Sequence, residues 1–200
     1  SAEIAATAIV PPAPELVTWF KADGFTGLTS GTAVANWPDA SGEGHHATQT
    51  NISQRPTFEA NAINGKPIVR FNSTNSTYLA FPRPVENDFT ILCVFRSSQG
   101  LGTGTQYYQG AGLINGEVPN VVNDFGMSLN ANGRILAGTG NPDITIASTN
   151  GFNDGQPHLV SFTRTRNTGA LELHVDGVSQ GTATGGKQSL VTPARLVMGA

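Results

Sequence analysis

Residues Asn153–Gly181, NDGQPHLVSFTRTRNTGALELHVDGVSQG, decide the fold. Two runs within them alternate apolar and polar residues, His158–Arg164 and Ala170–Asp176. Alternation sends successive side chains to opposite faces, so each run predicts a strand buried on one side. Between them, Arg166-Asn167-Thr168-Gly169 is a polar turn ending in glycine. After them, Asp176-Gly177 favours the tight hairpin turn whose central residues need positive φ. Strand, turn, strand, turn, strand is an antiparallel meander.

The flanking sequence extends the pattern in both directions. Upstream, strands are predicted at Leu16–Lys21, Ala33–Trp37, Pro67–Phe71 and Tyr78–Phe81, with an extended Pro56–Phe58 and a turn at Asn64-Gly65. Phe89–Arg96 is apolar at nearly every position and predicts a central strand covered on both faces. A glycine-rich loop follows, Ser97–Gly112. Further strands are predicted at Gly112–Asn115, Asp124–Asn130, Arg134–Gly138, Ile144–Ala147 and Arg195–Met198. No helix of three turns carries an apolar stripe. The 24 glycines, 12 prolines and 12% charged residues suit many short strands joined by turns. The expected architecture is all-β, a two-sheet antiparallel sandwich of jelly-roll type. Trp19, Phe71, Ile91, Cys93, Phe95, Phe125, Met127, Leu129, Val160, Phe162, Leu171, Leu173 and Val175 are its expected inner face. Ser128, Ser161, Thr163, Glu172 and His174 are expected on the opposite, polar face.

Charge and composition exclude several functions. The net charge is −3 and the eleven Lys and Arg are scattered, so nucleic acid is not the expected partner. No apolar run approaches about 18 residues, so no membrane span is expected. Cys93 is alone and reads as a buried core thiol. Residues 1–15 are Ala/Pro-rich and read as a linker or boundary ahead of one domain, 16–200. Asn-x-Ser/Thr sequons begin at Asn51, Asn72 and Asn75.

Four blocks, in order, resemble the laminin-G-like or concanavalin A-like lectin/glucanase superfamily, in the form found in secreted bacterial multidomain proteins. Leu16–Asp23 (LVTWFKAD) looks like its opening block. Trp37 with Asp39-Ala40-Ser41-Gly42 and His46-Ala47 is similar to its W-D-SG-G-HA turn. Asn64–Phe71 (NGKPIVRF) looks like its NGKP-VRF strand. Asp154-Gly155-Gln156-Pro157-His158 through Asp176-Gly177 matches its C-terminal meander, with Pro157 where an aromatic residue is usual. Two departures stand out. After Phe71 the acidic residues common in the family are replaced by Asn72-Ser73-Thr74-Asn75-Ser76-Thr77. The chain also ends where the family usually adds one more strand, so either the sequence stops short of that strand or another protein chain fills the open sheet edge.

The resemblance implies a non-catalytic, lectin-like carbohydrate-binding module of an exported protein, secreted or on a cell surface, with polysaccharide or glycoprotein glycan as partner. Two alternatives stay open: a glycan-cleaving enzyme of the same fold, and a protein-binding, adhesion or assembly module. Gln106, Tyr107, Tyr108 and Gln109 at the loop tip combine aromatic rings with amides, the chemistry that stacks on and hydrogen-bonds to sugars. One tyrosine packed under the loop is the structural alternative. Glu172 and His174 share a strand face with Asp176 and are the candidate acid/base pair; a solvated sheet face is the simpler reading. Asp39, Ser41 and Glu43 sit at positions 1, 3 and 5 of a loop resembling those that hold Ca²⁺, but position 12 is Thr50, so capping of the loop's own backbone competes. His45-His46 lack a partner motif for a transition metal.

Overall fold

The computed structural model describes residues 15–116 and 123–199. The Ala/Pro-rich opening stretch therefore lies outside the described residues, Glu15 apart. The strands are β1 Asn36–Trp37, β2 Ala47–Thr48, β3 Thr57–Ile63, β4 Lys66–Arg70, β5 Leu79–Pro82, β6 Phe89–Arg96 and β7 Ala111–Asn115. They continue as β8 Phe125–Leu129, β9 Ile135–Thr139, β10 Ile144–Ala147, β11 Pro157–Thr165, β12 Ala170–Val175, β13 Val178–Thr184 and β14 Arg195–Met198. Among the described residues, short 3-10 turns lie between them at Ala22–Gly24, Ile52–Gln54 and Ser73–Asn75. Among the described residues, no helix is long and apolar enough to cross a membrane.

Two antiparallel sheets carry the fold. One has eight strands in the order β1-β2-β5-β14-β7-β8-β9-β10; the other has four, β13-β12-β11-β6. A separate hairpin pairs β3 with β4. The predicted meander is β11-β12-β13, with Val160 opposite Val175 and Phe162 opposite Leu173. Both predicted two-residue turns form with positive φ throughout: Asn64 and Gly65 at 49° and 73°, Asp176 and Gly177 at 52° and 78°. That geometry matches the twist of the strands they join.

The inner faces meet through Phe89, Phe125 and Phe162. Phe125 of the large sheet lies 4.8 Å, ring to ring, from Phe89 of the small sheet, and Phe89 is edge-on to Phe162 at 5.7 Å. Met127, Leu129, Val160, Leu171, Leu173 and Val175 complete this core. Each such side chain contributes about 1.5–3 kcal/mol by leaving water. A second aromatic cluster at one end links Phe20 to Trp37 and Phe81, and Phe25 to Trp37 and Phe58. Arg164, fully buried at the end of β11, donates to the carbonyls of Asn87 at 2.6 Å and Gln188 at 2.7 Å, and also to those of Glu86 and Gly186. It clamps two loops at one end of the core.

Four expectations are corrected. Leu16–Lys21 is not a strand: Phe20 makes one isolated bridge to Asp39, and Phe20 rather than Trp19 turns inward. Trp19 is held by its N–H on the Asp39 carboxylate, and the Lys21 ammonium covers its ring at 4.6 Å. β6 is the last strand of the four-stranded sheet, and its outer face is bare, with Leu92 62% and Val94 65% exposed. A nearly unbroken apolar run thus concealed a one-sided strand. Ser128 is buried on β8 of the other sheet, not on the meander's polar face. Finally, β14 is no edge: it pairs with β5 on one side and β7 on the other, so the expected gap beside it does not exist.

Candidate functional site

The glycine-rich loop between β6 and β7 builds one wall of the site. Its root is pinned by Gln99, whose Nε2 donates to the Leu129 carbonyl at 2.8 Å while its own carbonyl accepts from Asn153. Further along, the Gly102 carbonyl accepts from the Ala131 N–H at 2.7 Å and the Gly104 carbonyl from Asn130 Nδ2. These bonds lay the loop flat against the outside of the large sheet, over β8, β9 and β10. Glycines make the close approach possible. A Cβ on Gly138 would collide with the Ile144 carbonyl and sit 2.8 Å from the Tyr107 ring, and one on Gly110 would sit 2.7 Å from the Leu129 carbonyl. The loop is a third layer on that half of the sandwich.

Tyr107 is the rivet of this layer. It is 1% exposed, and its hydroxyl donates to the buried Asp124 carboxylate at 2.8 Å. Tyr108 stands edge-on to it and reaches Asp143 at 3.3 Å. Gln109 Oε1 accepts from the N–H groups of Thr105 and Gln106, and Gln106 Oε1 accepts from the Thr145 hydroxyl at 2.8 Å. The four tip residues are brought together, but to staple the loop. Tyr107 cannot serve as a stacking platform; its ring fills the space above Gly138.

The loop's other edge lines a cleft of about 350 Å³. Leu101, Gly102, Gly110 and Ala111 form one wall; Gln54, Ser73 and Ser76 form the other, with Tyr78 and Gly199 between them. Tyr78 precedes β5, Gly199 follows β14 and Ala111 opens β7, three neighbours in the sheet. Local capping shapes the polar wall. Asn51 Oδ1 accepts from Ser53 N–H and Asn72 Oδ1 from Thr74 N–H, closing the two 3-10 turns. The Tyr78 N–H then donates to the Gln54 carbonyl and ties the turns together. The cleft thus offers a tyrosine, an amide, two hydroxyls and bare main chain. Sequence reading missed Gln54, Ser73, Ser76 and Tyr78. Their one signal was the acid-free stretch after Phe71.

The other candidates are placed elsewhere. Asp39 accepts four hydrogen bonds: from the N–H groups of Trp19, Ser41 and His45 and from the Ser41 hydroxyl. Burial alone would raise its pKa, yet these bonds hold it below the usual carboxylate value. Ser41 Oγ also receives the Glu43 N–H, and the Asp39 N–H donates to His46 Nδ1. The loop caps itself. Among the described residues, no group of three or more His, Cys, Asp or Glu is placed to hold a metal ion.

Glu172 and His174 lie on the open outer face of the four-stranded sheet, Glu172 opposite Thr163 and Thr182, His174 opposite Ser161 and Ser179. Asp176 leaves that face. Its Oδ2 sits 2.7 Å from His158 Nδ1 and its Oδ1 accepts the Leu159 N–H, while His158 Nε2 reaches Asp154 at 3.1 Å. Burial alone would lower the His158 pKa, but the hydrogen bonds to Asp176 and Asp154 outweigh it and raise it. Asp176 is held low chiefly by His158, and Asp154 by the Gln156 N–H and then His158. Cys93 is pushed up to about 11 by burial, which leaves its thiol inert.

No family model matches the chain, and no curated protein matches it. Solved structures do. The binding domain of Paraclostridial Mosquitocidal Protein 1 is similar at TM-score 0.62 and 12% identity, over 84% of this chain and 42% of that one. Domains LG4-5 of the mouse laminin alpha1 chain give 0.47 and 20%, over 62% and 31%. The CBM40 of a Ruminococcus gnavus IT-sialidase, bound to alpha2,3 sialyllactose, gives 0.44 and 13%, over 57% and 63%. The chain spans less than two thirds of each of these structures. At such identities the likeness to the mosquitocidal binding domain speaks for architecture alone, a sandwich of two packed antiparallel sheets.

Proposed function

We propose that this domain is a non-catalytic carbohydrate-binding module of an exported protein. The observation that carries the reading is the cleft beside Tyr78. Sugars present C–H faces that pack on aromatic rings and hydroxyls that both donate and accept. A tyrosine flanked by Gln54, Ser73, Ser76 and bare glycine main chain offers both kinds of partner. Hydrolysis has less support, because Asp176 is spent on His158 and leaves Glu172 without the second carboxylate that glycoside cleavage uses.

Titration of the ¹⁵N-labelled chain with an oligosaccharide panel tests this. Shifts should map to Tyr78, Gly110 and Gly199, with dissociation constants of roughly micromolar to millimolar. Tyr78→Ala should weaken binding about tenfold, the worth of one aromatic contact. If no saccharide moves any cleft amide, the reading fails.

A further inference from the structure

We infer that the cleft selects an uncharged saccharide unit, one or two rings long, and rejects sialylated or uronic sugars. The inference rests on the carbohydrate-binding reading above and names the ligand class. Among the described residues that line the cleft there is no Asp, Glu, His, Lys or Arg. The cations close to these residues in sequence have partners: Arg70, three residues before Ser73, lies 3.8 Å from the Glu59 carboxylate. Arg55, next to Gln54, donates to the carbonyls of Gln49 at 3.0 Å and Thr50 at 3.2 Å. Arg195, four residues before Gly199, donates to the Ala80 carbonyl at 2.6 Å and the Thr48 hydroxyl at 3.2 Å.

A carboxylate entering such a site would shed water without gaining a counter-charge, which is strongly unfavourable. Sites built for carboxylates supply an arginine fork or a lysine. Neutral hydroxyls meet the opposite situation. The amide of Gln54 and the hydroxyls of Ser73 and Ser76 donate and accept, which suits groups that do both. Leu101, 52% exposed at the lip, adds apolar surface for a sugar's C–H face. The volume of about 350 Å³ stands at the small end of ligand cavities, enough for one or two rings.

The test uses matched probes on the whole chain by calorimetry, with amide shifts to place binding. Neutral members are lactose, cellotriose, maltotriose and mannotriose. Acidic members are 3′-sialyllactose, which is lactose with one added sialic acid, and oligogalacturonate. The expected result is that at least one neutral sugar binds at the cleft, with every acidic probe at least about tenfold weaker. Ser73→Arg, at an exposed position outside the turn's capping bond, should narrow that gap at least about threefold by supplying the missing cation. Acidic sugars binding the cleft as tightly as neutral ones would overturn the selectivity and leave glycan binding standing. A gap unmoved by Ser73→Arg would also overturn it, because charge would then not be the discriminator. Silence from every probe would sink the underlying reading instead.

Discussion

The outer faces of the two sheets begin from the same strand alternation and end differently. On the four-stranded sheet, Leu92, Val94 and Leu159 stand exposed beside Ser161, Thr163 and Glu172, and nothing among the described residues covers them. On the eight-stranded sheet, the glycine-rich loop lies over β8–β10 and buries Leu136 and Ser128 completely. The difference comes from side-chain volume. Gly138 on β9 leaves room that the Tyr107 ring fills, and the loop it anchors raises a wall above the sheet. A flat sheet face offers a ligand one surface. A sheet face with a wall offers two, and a cleft forms where they meet.

The largest expected effect comes from removing that room. Gly138→Val would drive a side chain into the Ile144 carbonyl and the Tyr107 ring, so the loop must lift or the strands must part. Overpacking of this kind costs about 2–3 kcal/mol. Denaturant midpoints should show it, and saccharide binding should fall with it, because the cleft loses a wall. Ser161→Val on the bare sheet should stay within about 0.5 kcal/mol. Equal losses from the two substitutions would abolish the distinction between the faces.

How far the sequence foretold this difference depends on the range of the interactions involved. The meander was legible because its determinants are local: alternation over six to nine residues and a two-residue turn. The position of β14 was not, because its partners β5 and β7 lie some 80 to 120 residues away and nothing in RLVM names them. Tyr107 illustrates the same limit at the site. Its ring and the neighbouring glutamines have the composition of a sugar platform, but Gly138 and Asp124, 31 and 17 residues downstream, give it a buried seat and a hydroxyl partner. The Asp39 loop was readable for what it is, since a carboxylate two residues before Ser41 and six before His45 is within reach of both N–H groups. The cleft drew residues from four separate turns, and only folding assembled them.

A smaller effect is expected at the far end of the bare sheet, where the His158 clamp ties the Asp176-Gly177 hairpin to the turn at Asp154. The raised His158 pKa means that its contribution is complete below the ordinary histidine value of about 6.5 and disappears as pH rises through the folded value. The lowered pKa values of Asp154 and Asp176 mean that theirs is complete above about 3.9 and disappears as pH falls through the folded values. The clamp is therefore strongest between roughly pH 4 and 6.5. The groups packed on the imidazole from other elements, Phe95 and Phe152, are uncharged and do not move this window. Asp176→Asn keeps a residue that tolerates the turn's positive φ while removing the charge. Its stability deficit against the parent chain should be larger at pH 5.5 than at pH 8.5, measured by urea midpoints. A deficit that grows with pH would reverse the assigned sign.

The smallest effects are expected from Glu172 and His174 themselves. Both are on a face without a wall, opposite small hydroxyl residues on the neighbouring strands. Surface changes of this kind stay within about 0.5 kcal/mol. Glu172→Gln and His174→Gln should therefore leave urea midpoints and saccharide titrations as they are in the parent chain. The point of the pair is its location. A ligand that needed the bare sheet would feel both substitutions and ignore Tyr78→Ala, whereas one seated beside the glycine-rich loop would do the reverse. Loss of saccharide binding in either glutamine variant would move the binding surface to the four-stranded sheet and make the loop's third layer a purely structural cover.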